Sequence, residues 1–362
     1  MHSNSRRAII NKYVHSKPIE YPTKLSLASK VLIAPHGIGI ASLAQALRAG
    51  GVYATSCSFY NDAYSYLSDI CLNLNQHRME IRQKIRDAYF EEACTIYDTF
   101  HFRFGATFTP DKRDLKILAD QGKKLIVHHC GDEVRMLQVA RGFNNPYAQR
   151  REAWPDERIQ HNLKLLTPYI DQVIINDHEL LPYVEPYYKK VHIVPYAINA
   201  QAITHHYPQP DVAPLVVHAS SHRNVKGTEY IVKAVEQLQK EGVRFRFQLI
   251  ENTPHTQAMQ IYQRATIVID QLTVGTYANL SMEAMAMGKP VICYIRDDLR
   301  STFPAELPIV SANPDTIYEV LRDLLHRPSD WHHLGVCGRK YVEQHHNPDK
   351  VANKLIQVYQ HL

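Results

Sequence analysis

Two cations, one carboxylate and a small-residue loop are the groups in this chain whose types and spacing suit chemistry. Arg223 and Lys226 lie in His218-Ala-Ser-Ser-His-Arg-Asn-Val-Lys-Gly227, which reads as a strand end, a polar loop and a helix start. Fixed cations there can neutralise a diphosphate, and a pyrophosphate leaving a carbon atom needs that electrostatic help. The plainer alternative is two surface cations at a helix start. A cation is locally unfavourable at the positive end of a helix dipole, which favours the functional alternative. The second stretch runs from Thr266 to Ile295. Its loop, Gly275-Thr276-Tyr277-Ala278-Asn279, leads into a helix from Leu280 to Met287 that Gly288 closes before Pro290. Backbone N–H groups at that helix start suit a phosphate. Glu283 sits near enough to the same crevice to accept hydrogen bonds from ligand hydroxyls. These groups together fit a nucleotide-sugar donor.

The elements that must hold these residues are strands alternating with helices. In the second half they run strand 214–218, helix 227–241, strand 243–250, helix 255–264, strand 266–270, helix 280–287 and strand 290–295. A short strand at 307–310 and helices at 314–326, 329–345 and 350–362 follow. Such alternation predicts a parallel sheet covered on both faces. In the first half, Lys30–Ala34 is a strand that runs into His36-Gly37-Ile38-Gly39 and a helix from Ala41 to Ala49. Ser42 stands at the third glycine position of a GxGxxG loop, so a tight turn and a ligand loop both stay open. Strands follow at 52–59, 95–104, 124–128, 172–175 and 191–194. Residues 1–28 read as irregular, and the polar segment 143–160 as a mobile loop. The helix 76–94 reads as amphipathic and solvated, with a membrane-surface role as the alternative. Pro195 to Pro214 reads as a hinge. The expected organisation is therefore an N-terminal Rossmann-like domain, 1–198, and a C-terminal one, 199–348, with the last helix, 349–362, a candidate to pack back on the first. A cleft between two such domains receives His101, His129, Asp132 and Arg135, all placed at or after strand ends. A helix N-cap at Asp132 with an ion-paired Arg135 is the structural alternative there.

The chain has 362 residues, 45 % of them hydrophobic, and a formal net charge of +5. That length allows two domains with real cores. The charge is too small for a dedicated nucleic-acid binder and suits anionic small molecules. Six scattered cysteines lack CxxC spacing, and no HxH or HExxH argues for a bound metal. No run approaches the length of a transmembrane helix, and no signal peptide is evident. A cytoplasmic protein, with peripheral contact at the inner membrane face left open, is the expectation.

Residues 214–295 resemble the donor domain of the family 4 retaining glycosyltransferases, through Arg223-Asn-Val-Lys226-Gly227 and Glu283-Ala-Met-Ala-Met-Gly-Lys-Pro-Val-Ile292. The first half resembles them through His129-Cys-Gly-Asp-Glu-Val-Arg135 and Val194-Pro195. The resemblance implies an α/β GT-B fold: two Rossmann-like domains with parallel sheets facing a central cleft. It implies that Arg223 and Lys226 bind the donor diphosphate, that Thr276 to Leu280 offer backbone N–H groups, and that Glu283 binds the ribose. Gly227 and Gly275 fall within the same donor set. On the acceptor side it implies a polar group near His129 or Asp132 to orient a hydroxyl, with Arg135, His101 and Gly37 as further contacts. The donor would be a UDP- or GDP-sugar and the acceptor a glycan, a lipid-linked or a small-molecule hydroxyl, with no metal or other cofactor. The family motif carries two glutamates separated by seven residues, and here Gly275 stands at the first. Asp270 or backbone near Gly275 would then have to substitute. The rivals are a sugar-nucleotide 2-epimerase of the same fold and a non-catalytic nucleotide-sugar-binding scaffold. Nothing in the sequence sets the oligomeric state.

Overall fold

Apolar β-branched runs and amphipathic helices alternate along almost the whole chain, and most of these runs become strands of two largely parallel sheets. The computed structural model describes residues 3–35, 39–61, 68–143, 145–210 and 213–362. They form two compact units. Unit 1 comprises Met1–Val134, Glu157–Ala197 and Pro348–Leu362, and unit 2 comprises Arg135–Asp156 and Ile198–Asn347.

Unit 1 is built on β1 (His15–Ser16), β2 (Leu27–Ala34), β3 (Val52–Ser58), β4 (Ile70–Cys71), β5 (Thr99–Arg103), β6 (Lys124–His128), β7 (Gln172–Ile175) and β8 (Lys190–Ile193). Their order across the sheet is β1-β4-β3-β2-β5-β6-β7-β8, and only β1 runs antiparallel to its neighbour. Strand alternation sends successive side chains to opposite faces. Val31, Ile33, Ile126 and Ile174 meet Leu43 and Leu47 of the helix Ile40–Ala49 and Leu355 and Tyr359 of the helix Pro348–Gln360. On the other face Phe100 and Phe102 pack with Phe108, which also meets Tyr89 and Phe90 of the helix Met79–Ile96. Burying both faces explains why these strands read as continuous apolar runs rather than alternating ones.

Unit 2 holds β9 (Leu215–Ala219), β10 (Arg246–Ile250), β11 (Ile267–Ile269) and β12 (Val291–Ile292), all parallel, in the order β10-β9-β11-β12. Val216, Ile267 and Ile269 pack with Ile231, Val235 and Leu238 of the helix Thr228–Lys240, and with Leu321 and Trp331. The Trp331 indole N–H donates to Leu324 O at 2.8 Å, so the largest buried side chain here has its polar group satisfied.

Three local expectations are corrected. Residues 3–13 form a helix rather than irregular chain, fastened to the helix Met79–Ile96 by Arg6 and Glu91 at 2.7 Å. The strand expected at 307–310 is reduced to one bridge, Ile292 to Val310. The polar segment after Phe143 is not free loop: the buried Asn145 amide donates to Thr273 O at 2.9 Å and Val274 O at 3.2 Å. Two loop carbonyls that lack a sheet partner are satisfied this way, and the segment joins unit 2 although the chain enters and leaves it from unit 1. No helix among the described residues is long and apolar enough to cross a membrane.

Candidate functional site

In unit 2, β9 has β10 on one side and β11 on the other, so the chain leaves β9 in one direction and returns on the other. The crevice outside the carboxyl ends of strands at such a switch point is where open α/β sheets bind ligands. The loops 220–227 and 270–279 flank it, and they carry most of the donor residues expected from the sequence.

Lys226 closes the short helix Arg223–Lys226. Its Nζ lies 2.5 Å from Asp270 Oδ1 and 3.1 Å from Gln271 Oε1. Leu272 N donates to Lys226 O at 3.1 Å, and the Thr273 hydroxyl donates to Val225 O, so the two loops are tied along their length. The other oxygen of the fully buried Asp270 accepts from Ser281 N at 3.2 Å and Ser281 Oγ at 2.7 Å. Asp270 thus joins Lys226 to the first turn of the helix Asn279–Ala286. Burial pushes its carboxyl up, but Lys226 and the Ser281 hydroxyl outweigh burial and hold it below the usual value. The expectation that Asp270 might replace a sugar-contacting glutamate is therefore corrected: both of its oxygens are already taken.

Gly227 has a φ of 73°, and a Cβ there would stand 3.1 Å from Leu272 Cβ, so glycine permits the close approach of the two loops. Gly275 has a φ of 94°, and its Cβ would stand 3.1 Å from Arg296 Cβ. Arg296 N donates to Gly275 O at 2.9 Å, and the guanidinium chelates Asp298 at 2.6 and 2.8 Å. In the loop itself Thr276, Tyr277 and Leu280 are buried, and Ala278 and Asn279 are half-buried. Thr276 O accepts from Gln271 Nε2 at 2.5 Å. The Tyr277 hydroxyl lies 3.1 Å from Tyr341 Oη and 3.0 Å from His346 Nε2. The Tyr277 side chain is thus part of the packing, while Ala278 and Asn279 are less buried.

Glu283 has a mostly buried side chain whose Oε1 lies 2.7 Å from His255 Nε2. The hydrogen bond to Glu283 raises the His255 pKa despite partial burial. No hydrogen bond among the described residues takes the other carboxylate oxygen. Arg223 is more exposed, and its guanidinium lies between Glu229 and Glu251, each at 2.8 Å. A diphosphate must compete with both carboxylates for it. Asn224 Nδ2 donates to Arg150 O at 3.0 Å. With the Asn145 contacts, the segment 145–150 is hydrogen-bonded to both site loops.

Two acceptor-side expectations in unit 1 are corrected. His129 is fully buried, with Nδ1 3.4 Å from Glu133 Oε1 and Nε2 2.9 Å from the Tyr188 hydroxyl. Glu133 also accepts from Cys130 N at 2.6 Å and Gly131 N at 2.9 Å. The pair fixes the turn after β6 and leaves neither imidazole nitrogen for a substrate. His101 is fully buried too, with Nδ1 2.6 Å from the Tyr359 hydroxyl of the last helix. Burial chiefly, with the charge of Arg103, lowers its pKa to about 3. Asp132 is half-buried in unit 1 and caps no helix, because the helix Leu137–Gly142 starts later, behind Met136. Arg135 is half-buried where the chain passes into unit 2. Gly37 lies outside the described residues. Among the described residues no cluster of His, Cys, Asp or Glu is placed to hold a metal ion.

Sequence reasoning missed His255 as the partner of Glu283 and Asp270 as the anchor of Lys226. Asp270 had a signal, being the polar end of a buried strand. His255 had none, since no spacing links it to Glu283.

Residues 222–357 match the model of a family described as glycosyl transferase-like. No curated protein matches the chain in sequence. Among solved structures, the sucrose-phosphate synthase of Thermosynechococcus elongatus superposes with a TM-score of 0.65 at 18 % identity, over 91 % of this chain and 98 % of that one. HepE of Anabaena, solved in complex with UDP-glucose, gives 0.61 at 11 % identity, over 92 % and 100 %. A glycosyltransferase of Rickettsia africae gives 0.57 at 12 %, over 94 % and 98 %. The chain therefore has the GT-B fold, two Rossmann-like units on parallel sheets, and the glycosyl transferase-like match covers the loop of Lys226 and the helix of Glu283 in its second unit.

Proposed function

We propose that unit 2 binds a nucleoside-diphosphate sugar and that the protein transfers the sugar to an acceptor hydroxyl with retention of anomeric configuration. The observation that carries this is the meeting of Lys226, the helix start at Asn279 and the open oxygen of Glu283 at the carboxyl ends of β9 and β11. Lys226 is held where a diphosphate would develop charge, and a preorganised cation stabilises the leaving group without rearranging. Glu283 accepts from ribose hydroxyls while His255 holds its other oxygen. The acceptor oxygen–carbon bond forms as the carbon–oxygen bond to phosphate breaks, and the acceptor proton passes to the departing phosphate. This course needs no strong protein base, in keeping with the burial of His129. UDP is the preferred nucleotide, since HepE, which shares the fold, was solved with UDP-glucose. We assign the protein to family 4 and to glycan or glycoconjugate assembly on the motif around Glu283.

The test is titration with UDP, GDP and their sugars, then turnover with candidate acceptors and NMR of the product anomer. Binding and a retained anomer are expected. Glu283→Gln should weaken nucleotide binding about ten- to a hundredfold, the loss of a charge-assisted contact. If no nucleoside diphosphate binds, the proposal fails. Binding with neither transfer nor hydrolysis would leave a scaffold. The epimerase alternative loses its histidine, because His101 bonds to Tyr359 in the interior.

A further inference from the structure

Unit 1 has a switch point of its own, between β2 and β5: from β2 the chain goes to β3 on one side and returns to β5 on the other. Arg103 is the last residue of β5, at the carboxyl end, where such sheets take ligands. Strand alternation turns Phe100 and Phe102 to one face and His101 and Arg103 to the other. Arg103 is only 5 % exposed. Its Nη1 lies 3.2 Å from His128 Nδ1 and its Nη2 3.2 Å from Cys130 Sγ. Its Nε is buried with no hydrogen-bond partner. Among the described residues no carboxylate pairs with it. A guanidinium stays protonated in a protein, so a full positive charge is buried here against neutral acceptors alone. Burial, with the charge of Arg103, keeps the neighbouring imidazoles of His101 and His128 neutral.

His128 Nδ1 accepts from Arg103, so in a neutral ring Nε2 carries the proton. Asn176 Nδ2 lies 2.9 Å from His128 Nε2 and donates to Val194 O at 3.3 Å, so this amide has an acceptor. Arg103 Nε–H is thus the buried donor at this point with no hydrogen-bond partner. A packing role would be served by a neutral glutamine, whereas a buried unpaired cation destabilises the protein that holds it. Cys130, at the guanidinium, is half-buried.

We propose that the carboxyl end of β5 is an anion-binding site, in which Arg103 takes the oxyanion of an acidic small molecule, a phosphate monoester or a carboxylate. The free edge of its planar fork suits either group. Calling that molecule the acceptor rests on the transferase reading; the binding itself does not.

The test uses the full chain and its melting temperature at matched ionic strength, in chloride alone and with inorganic phosphate, glucose 6-phosphate or glucuronate. Wild type is compared with Arg103→Gln and Arg103→Lys, all of which keep Lys226, so any anion bound in unit 2 cancels. Saturable stabilisation of the wild type by at least one of these anions is expected, at a half-point roughly tenfold or more lower than in Arg103→Gln. Arg103→Lys should fall between them, and anion-free Arg103→Gln should melt no lower than wild type. Response to the phosphates alone assigns phosphate, and response to glucuronate alone assigns carboxylate. The site is overturned if the wild type responds to none of them beyond chloride, or if Arg103→Gln keeps the full response. It is also overturned if Arg103→Gln fails to fold while Arg103→Lys responds as wild type does. A UDP titration of the same samples separates the two proposals: loss of the anion response with no UDP binding in any variant sinks the donor reading and leaves this site standing.

Discussion

Lys226 meets Asp270 before it meets any ligand, and that order matters for reading mutants. Deleting the lysine removes a proposed phosphate contact and also strands a fully buried carboxylate, so lost activity alone would not separate the two effects. Asp270→Asn is the cleaner probe of the scaffold: it should cost about 3 kcal/mol, as breaking a buried ion pair does, read as a shift in the denaturant midpoint. Asp270 titrates below its ordinary 3.8 in the folded protein. Its contribution is therefore complete above that value and is lost as pH falls through the folded pKa. The stability gap between wild type and Asp270→Asn should be flat near neutrality and close in acid; a gap unchanged at low pH would show that the carboxylate charge is not what stabilises. Arg223 calls for the opposite experiment. Glu251→Gln removes one of its two carboxylate partners and should tighten nucleoside-diphosphate binding a few-fold in calorimetry. Unchanged affinity would mean that Arg223 stays with Glu229. At this scale the sequence was informative about which residue types belong together, because Lys226, Gly227 and Glu283 lie on elements whose pattern is plain. It was silent on partners distant in sequence. His101 and His129 look like site residues at strand ends, yet Tyr359 and Tyr188 take them, and no local pattern announces a contact across that many residues.

Helices and strands were largely legible, since parallel strands buried on both faces and amphipathic helices have distinct apolar periods. The loops were not, because their conformation depends on what they touch. Gly275 is the clearest case. From the sequence it is a missing glutamate; in the fold it is a left-handed turn pressed against Arg296. Gly275→Glu should therefore restore nothing. A side chain there carries backbone strain and must displace Arg296, so a loss of roughly 1–3 kcal/mol in stability is expected with no gain in turnover. Raised activity would show that the loop can rearrange to accept the carboxylate. The segment 145–150 makes the same point from the other side. It is polar enough to read as solvated chain, yet Asn145 holds the loop after β11, and its single buried amide was indistinguishable in sequence from a surface asparagine.

Each unit is assembled from separated stretches of chain. Unit 2 borrows 135–156, and unit 1 closes its core with the helix Pro348–Gln360, whose Leu355 and Tyr359 pack on Val31, Ile33, Ile126 and Ile174. Leu355→Ala should cost about 3 kcal/mol, as large-to-small core changes do, read from the denaturant midpoint. A change below the experimental error would show that the helix is dispensable to unit 1. The arrangement also has a consequence during synthesis. Residues up to Val134 emerge long before residues 348–360, and at ordinary elongation rates the interval is roughly 10–40 s. For that time the apolar face of the first sheet lacks the cover that Leu355 and Tyr359 provide. The nascent chain must then be held by a chaperone or wait partly folded, and the first unit to begin is the last to finish.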